Sequence, residues 1–357
     1  MEHNKAKAEQ VNFDGQHFYI GIDVHKKSWK VNIRNCGISL KFFSIDPSPE
    51  MFYRHLKKNY PGGTYHIVYE AGFSGFWIQR QFSELGIDCI VVNPADVPTS
   101  HKEKDRKSDV VDAYKLAREL EKGEMKPIYV PEESQQHLRS LCRLYGCITQ
   151  NSTRTKNRIK GLLAYNGISV PHHSSHWSAA FIDGLRNIPL DNGPARDYLT
   201  FCLDELLEHR ARKLKVLKKL RSYVSATQSY NTIKYIRSIH GIGFITAITF
   251  FTEITDMKRF PSFDKLKAFV GLIPSCHSSG EKDVTGSLSP RKNPHLRYVL
   301  IEAAWAAVGK DPVLLAAYHK LIARMKKQDA IIRIAAKLLS HIRYVWLHSC
   351  AYPYTVA

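Results

Sequence analysis

Apolar and polar positions change period along this chain. From His17 to Asn93 the short period of strands dominates. The run His17-Phe-Tyr-Ile-Gly-Ile-Asp-Val-His25 is apolar and ends in charge. Ser28–Arg34 alternates, with Trp29, Val31 and Ile33 on one face, and Ser39–Ile45 predicts a third strand. These three are close enough to be joined as hairpins. Glu50–Tyr60 has helical spacing and stops at Pro61-Gly-Gly63. Tyr65–Glu70 predicts a fourth strand, Phe76–Leu85 a helix closed by Gly86, and Ile87–Asn93 a fifth strand. Ser108–Glu121 predicts a helix with Ser108 as N-cap and Gly123 beyond its end. The order β-β-β-α-β-α-β-α predicts a mixed, twisted sheet with helices on its faces, ending near residue 130.

From Glu132 onward the strand period disappears. Residues 132–166 and 194–228 predict two long helices, joined by a looser insert, Pro171-His-His-Ser-Ser-His-Trp177, read as a surface loop. Such a pair predicts a protruding antiparallel, coiled-coil arm. From Ile233 the pattern predicts an all-α region. Its Ser238-Ile-His-Gly-Ile-Gly-Phe-Ile reads as helix, tight turn, helix, the pattern of a helix-hairpin-helix. Gly241 and Gly243 permit the turn, and amides at the next helix start can meet phosphate. Four segments result: a flexible arm at 1–16, an α/β domain at 17–130, a helical arm at 131–232 and an all-α domain at 233–357.

Composition narrows the function. The chain has 357 residues, 44% of them hydrophobic, enough for a sizeable core. Lys plus Arg outnumber Asp plus Glu by 52 to 33, a net charge of +19. That surplus points to a polyanion, nucleic acid ahead of an anionic membrane. The apolar stretch between Arg237 and Glu253 contains glycines and threonines and is too short to span a bilayer. No secretory signal is visible at the amino terminus. Seven cysteines without a C-x-x-C pair suit a reduced, cytoplasmic protein. The stretch His209–Arg221 carries no acid. Arg210, Arg212, Lys213, Lys215, Lys218 and Lys219 surround its apolar positions Leu214, Leu217 and Leu220, which suits a helix lying on a phosphate backbone.

Four carboxylates stand out by position. Asp23 closes the first strand and Glu70 the fourth, while Asp109 and Asp112 share one helix face at i, i+3. Sites form at such carboxyl strand ends. Taken singly, Asp23 fits a strand-end turn and Asp109 a carboxylate favoured by the helix dipole. Taken together in a basic chain, they suit Mg²⁺ or Mn²⁺. Two such ions stabilise in-line displacement at phosphorus. Far along the chain, Cys276-His-Ser-Ser-Gly-Glu-Lys-Asp-Val-Thr-Gly286 is either a solvated turn or a nucleophile without a local base.

Gly21-Ile-Asp-Val-His-Lys26, Tyr69-Glu-Ala-Gly72, Val91-Val-Asn-Pro-Ala95 and Lys107-Ser-Asp-Val-Val-Asp-Ala113 resemble the amino-terminal half of the DEDD transposases of bacterial insertion sequences. These are relatives of the Piv-type invertases, understood as bridge-RNA-guided recombinases. The resemblance continues through Gly241-Ile-Gly243, Phe269-Val-Gly-Leu-Ile-Pro274, Ser279-Gly280 and Asn293-Pro-His-Leu-Arg-Tyr-Val-Leu300, most of residues 17–305. It implies a RuvC-like (RNase H-like) fold for residues 17–130. It implies that Asp23, Glu70, Asp109 and Asp112 are the metal-binding tetrad. Ser279 then matches the serine that attacks a DNA phosphodiester, with Ser278 as its rival. Arg297 becomes a phosphate contact near the serine or a helix salt bridge. The implied partners are DNA ends and target, a non-coding guide RNA, and further copies of the chain. In that homo-oligomer, a dimer or tetramer, one subunit's serine meets another's acids. The implied setting is the cytoplasm, at the nucleoid during activity.

Two stretches depart from the pattern. Ala71-Gly-Phe-Ser-Gly75 replaces a common Ala-Thr-Gly, and Ser289-Pro-Arg-Lys-Asn-Pro294 replaces Ser-Lys-x-Gly-Asn/Asp. Two other functions fit part of the chain. A RuvC-like metal-dependent endonuclease explains the acids but leaves Ser279 without a task. A non-catalytic nucleic-acid-binding protein explains the basic helix and the Gly-Ile-Gly turn alone.

Overall fold

The computed structural model describes residues 12–98, 109–169, 177–190, 193–226, 229–279 and 282–353. The chain divides into two compact units, Met1–Val130 and Pro131–Ala357.

The first unit is built on five strands: β1 (His17–Val24), β2 (Trp29–Asn35), β3 (Ile38–Ile45), β4 (Thr64–Glu70) and β5 (Asp88–Val92). Their order across the sheet is β3-β2-β1-β4-β5. β1–β2 and β2–β3 are antiparallel, and β1–β4 and β4–β5 are parallel. This is the mixed sheet that the sequence pattern predicts. One face packs on α1 (Pro49–Asn59) and α2 (Trp77–Glu84). Phe18, Ile20 and Ile22 of β1 meet Ile67 and Tyr69 of β4 in a core with Phe52, Leu56, Ile78 and Phe82. Helix α1 starts where the Ser48 hydroxyl accepts from the Met51 N–H and Pro49 fills the first turn. The other face carries α3 (Asp109–Glu121), whose Leu116 packs against Val68 and Val92. The end of α3 is tied down by Glu121, which accepts from Arg34 Nε at 2.8 Å and from the Gly37 N–H at 2.7 Å.

Of the arm expected at residues 1–16, residues 12–16 are described. Phe13 donates its N–H to the Pro61 carbonyl and packs edge-on to Phe18. Residues 1–11 lie outside the described part, as do Ser108 and the Pro171–His176 insert.

The second unit begins with α4 (Glu133–Tyr165), α5 (Ala179–Arg186) and α6 (Pro194–Ser225). Helices α4 and α6 run antiparallel. Ile159 and Leu163 near the end of α4 share a core with Leu199, Leu203 and Leu206 near the start of α6. At the opposite ends, Cys142 joins Leu220 and Val224 in a larger core. That core is completed by α7 (Ser229–Arg237), α8 (Phe244–Ile254), α9 (Phe263–Val270), α10 (Pro294–Val308), α11 (Pro312–Ile322) and α12 (Lys327–His348). The arm therefore has a core of its own at one end and shares the main core at the other.

Two expectations are corrected here. Leu214 is not part of the apolar stripe of α6; it is 67% exposed, while Leu220 is fully buried. The carboxy-terminal region is also not all-α. β6 (Pro274–Ser279) and β7 (Lys282–Leu288) form an antiparallel hairpin. Polar residues dominate both strands, so no hydrophobic alternation announced them.

Among the described residues no helix is long and apolar enough to cross a membrane. One network centred on the buried Glu253 joins three helices of this unit. Glu253 of α8 accepts from Arg143 of α4 through both oxygens, at 2.7 and 2.8 Å, and from Asn293 at 2.8 Å. Asn293 in turn caps α10, accepting from the His295 and Leu296 N–H groups. Burial alone would raise the Glu253 carboxyl, but the Arg143 and Asn293 hydrogen bonds and the Arg143 and Arg139 charges outweigh it and hold it below the usual range.

Candidate active site

Strand alternation decides where the acids point. In β1, Phe18, Ile20 and Ile22 face α1 and α2, so Gly21 and Asp23 face α3. In β4, Val68 packs on the α3 side, so Glu70 shares that face. The strands are parallel neighbours in register through Ile22–Tyr69, which sets Asp23 and Glu70 side by side at their carboxyl ends. Helix α3 brings Asp112 to the same place. Its approach depends on Gly21, where a Cβ would lie 2.2 Å from the Ala113 carbonyl oxygen and 2.5 Å from the Ala117 nitrogen. Asp109 opens α3 one turn before Asp112; its side chain lies outside the described part.

A lysine that the motif reading passed over stands among these acids. Lys115 Nζ is 3.2 Å from Asp112 Oδ1 and 3.8 Å from Glu70 Oε1, and its side chain is 8% exposed. Asp23 Oδ2 lies 3.0 Å from His25 Nε2. Among the described residues no three acid, histidine or cysteine side chains already close on one point as metal ligands. The donor set nevertheless fits a hard divalent cation. The acids are carboxylates at a partly open edge, and two of them hold a cation between them already. The spacing Asp112–Lys115, i to i+3, was the sequence signal for the lysine.

This arrangement predicts the behaviour of a Lys115→Met chain. With the ammonium gone, Glu70 and Asp112 lose a partly buried counter-ion, a cost of about 1–2 kcal/mol. Added Mg²⁺ is expected to raise the thermal midpoint of the variant more than that of the parent. Equal shifts would show that these acids share no cation site.

In the second unit the hairpin register sets Ser278 opposite Asp283 and Ser279 opposite Lys282. Ser279 is the last residue of β6, and Gly280 lies outside the described residues. Arg297 holds the root of this hairpin. Its Nη2 donates to the Gly271 carbonyl and to the Ser289 carbonyl, the latter at 2.7 Å. The guanidinium thus bridges the chain on either side of β6 and β7. It forms no ion pair among the described residues. Gly271 is itself required here. Its φ is +86°, and a Cβ would lie 2.4 Å from Arg297 Nη2.

The nucleic-acid candidates separate by environment. Lys215, Lys218 and Lys219 are exposed along α6. Arg212 pairs with Glu208 at 3.3 Å, and Arg210 donates to the Trp177 carbonyl. Lys213 is half-buried over the Tyr145 ring, 5.0 Å from its centre. Of the two turn glycines, Gly241 is needed for packing: φ is +83° and a Cβ would lie 2.6 Å from the Ala307 nitrogen of α10. Gly243 has open space around it and stands at the N-cap of α8, where no side chain caps the helix.

Two family models match the chain. Residues 20–165 match the sequence model of the DEDD transposases of IS110 type, and residues 233–319 match that of the transposase IS116/IS110/IS902 family. Together these matches take in well over half the chain. The chain belongs to the IS110/IS116 family of DEDD transposases. It is 26% identical to the y4qE protein of Sinorhizobium fredii, over 92% of this chain and 87% of that one. It is 27% identical to the transposase for insertion sequence element IS1111A of Coxiella burnetii, over 67% of this chain and 65% of that one. With the transposase for insertion sequence element IS1533 of Leptospira borgpetersenii it shares 22% identity, over 80% and 84% of the two chains. In this insertion-sequence transposase the first family match begins inside β1 and includes all four acids. The second begins at Ile233 and includes the hairpin with Ser279.

Proposed function

We propose that this transposase cuts and rejoins DNA through a covalent serine–DNA intermediate, with Asp23, Glu70, Asp109 and Asp112 holding Mg²⁺ or Mn²⁺ and Ser279 as nucleophile. The observation that carries the reading is the convergence of Asp23, Glu70 and Asp112 on one face of the sheet, with a lysine drawn between two of them. A divalent ion bound there supplies Lewis-acid charge at the scissile phosphate. The carboxylates orient that charge, and the tight seat of α3 on Gly21 fixes their spacing. The Ser279 oxygen forms a bond to phosphorus while one phosphorus–oxygen bond of the strand breaks, and the leaving sugar oxygen takes a proton. A hydroxyl of the second strand then attacks the phosphoserine, restoring the phosphodiester and returning the proton to Ser279. Bond energy is conserved between the two halves.

In this reading the serine of one subunit acts with the acids of another inside a homo-oligomer. The turn between α7 and α8 works as a helix-hairpin-helix, with Gly243 open to a phosphate backbone, and the arm acts as a coiled coil. A non-coding guide RNA chooses the DNA by base pairing, while the protein reads helical shape and backbone. A net charge of +19 suits a chain that holds two polyanions.

Asp23→Asn tests the acidic site. Strand transfer is expected to fall by at least about a hundredfold, as removal of a metal-binding charge does. Nucleic-acid binding and the unfolding midpoint should stay near the parent values. Unfolding of the variant would mark Asp23 as a structural residue. Hydrolysed DNA with no protein-linked product from the parent chain would favour the RuvC-like nuclease. Binding that ignores Mg²⁺, with no cleavage at all, would favour a non-catalytic protein.

A further inference from the structure

The second unit contains a cleft of about 720 Å³ where the arm meets the main core. It lies between α4, α6, α8 and α10, and its size is that of ligand sites, roughly 300–1,000 Å³. Three features of its wall are unusual. Lys213 reaches into it half-buried, and no carboxylate pairs with it among the described residues. Burial pushes its ammonium below the ordinary lysine value. Arg154 adds a second cation at the rim, on α4. Two aromatic rings, Tyr145 of α4 and Tyr298 of α10, also line the space. The acid at its floor, Glu253, is already committed to Arg143 and Asn293; Glu302 is the remaining carboxylate of the wall.

The third feature is Gly146. It sits in the interior of the 33-residue helix α4, where glycine costs about 1 kcal/mol relative to alanine. A Cβ there would meet nothing within 4 Å, so packing does not require the glycine. What its absent side chain does is leave the cleft wall open. At Gly146 the helix gives up stability in the wall of an aromatic- and cation-lined space, as a site shaped for an occupant would.

The lining selects the occupant. Rings accept a flat π-face, and a lysine held over one ring without a carboxylate partner among the described residues, with a rim arginine, accepts a phosphate. One chemical unit offers both. We propose that this cleft receives a single nucleotide, unstacked from a bound single strand, with its base against Tyr145 or Tyr298 and its phosphate at Lys213 and Arg154. Nearby cations lead toward the cleft along the arm. The Lys156 ammonium is lowered by burial and by the charges of Arg210, Lys213 and Lys160, as expected of a cation cluster awaiting an anion. The inference rests on the nucleic-acid-binding reading given above and adds to it where one nucleotide goes.

Photocrosslinking of the full chain to oligonucleotides bearing 5-iodouracil, as DNA and as RNA, tests this. The label is expected in peptides containing Tyr145 or Tyr298, and the two backbones report which strand supplies the nucleotide. Gly146→Leu should reduce that label at least about tenfold, the loss of one stacked base. Its unfolding midpoint should not fall, because leucine is the better helix former. Binding of the whole strand, measured by anisotropy, should change less than about threefold, since most phosphate contacts lie elsewhere. Strand binding with label only outside the cleft, or full labelling of Gly146→Leu, would overturn the cleft alone. A parent chain that binds neither DNA nor RNA would overturn the nucleic-acid reading with it.

Discussion

Gly21→Ala is expected to lower the stability of the first unit by about 3 kcal/mol, the upper range for overpacking. A single methyl group has this effect because of what it would strike. The contacts at 2.2 and 2.5 Å are backbone atoms of α3, and the third, Leu116 Cβ at 2.9 Å, is the root of a buried side chain. None can swing aside as a flexible side-chain tip would. Helix α3 is also anchored at its far end by the Glu121 contacts to Arg34 and Gly37, so it cannot simply slide. Its displacement would carry Asp112 away from Asp23 and Glu70, so the folded fraction should also lose strand transfer. Denaturant unfolding and a strand-transfer assay on the same preparation check both parts. Parent-like values in both would mean that the sheet and α3 approach less closely than described.

Ser279→Ala is expected to abolish the protein–DNA adduct, a loss of at least about 10³-fold, as removal of a nucleophile causes. The assay is a denaturing gel with labelled DNA, Mg²⁺ and the guide RNA. Ser278→Ala is the matched control and should keep its adduct. The two residues have different partners across the hairpin, Lys282 for Ser279 and Asp283 for Ser278. An undiminished adduct from the Ser279 variant would sink the assignment.

Much of the first unit was legible because burial on two faces writes a strong pattern. The alternation of Trp29, Val31 and Ile33, and the apolar runs before Asp23 and Glu70, predict the strands and leave the acids at their ends. Gly21 was visible as a glycine inside a strand, yet what it accommodates lies some ninety residues away in sequence. Lys115 was legible only in part, through its i, i+3 spacing to Asp112. A lysine on an amphipathic helix usually faces solvent, and only the fold reveals that this one turns toward Glu70. The hairpin at Pro274–Leu288 was illegible because its strands pair through backbone hydrogen bonds and carry few apolar side chains. In α6 the leucine spacing predicts apolar positions at Leu214, Leu217 and Leu220. The helix instead passes between two cores, and Leu214 falls in the gap between them.

The Arg143–Glu253–Asn293 network has a mechanical consequence. Arg143 belongs to the arm, Glu253 to α8, and Asn293 to the N-cap of α10. One turn further along α10, Arg297 grips the chain on both sides of the hairpin. The four residues are links of a single train, each gripped by charge or hydrogen bond rather than by loose apolar contact. Through these contacts the arm, α8, the start of α10 and the root of the strand that ends at Ser279 are tied into one continuous polar chain.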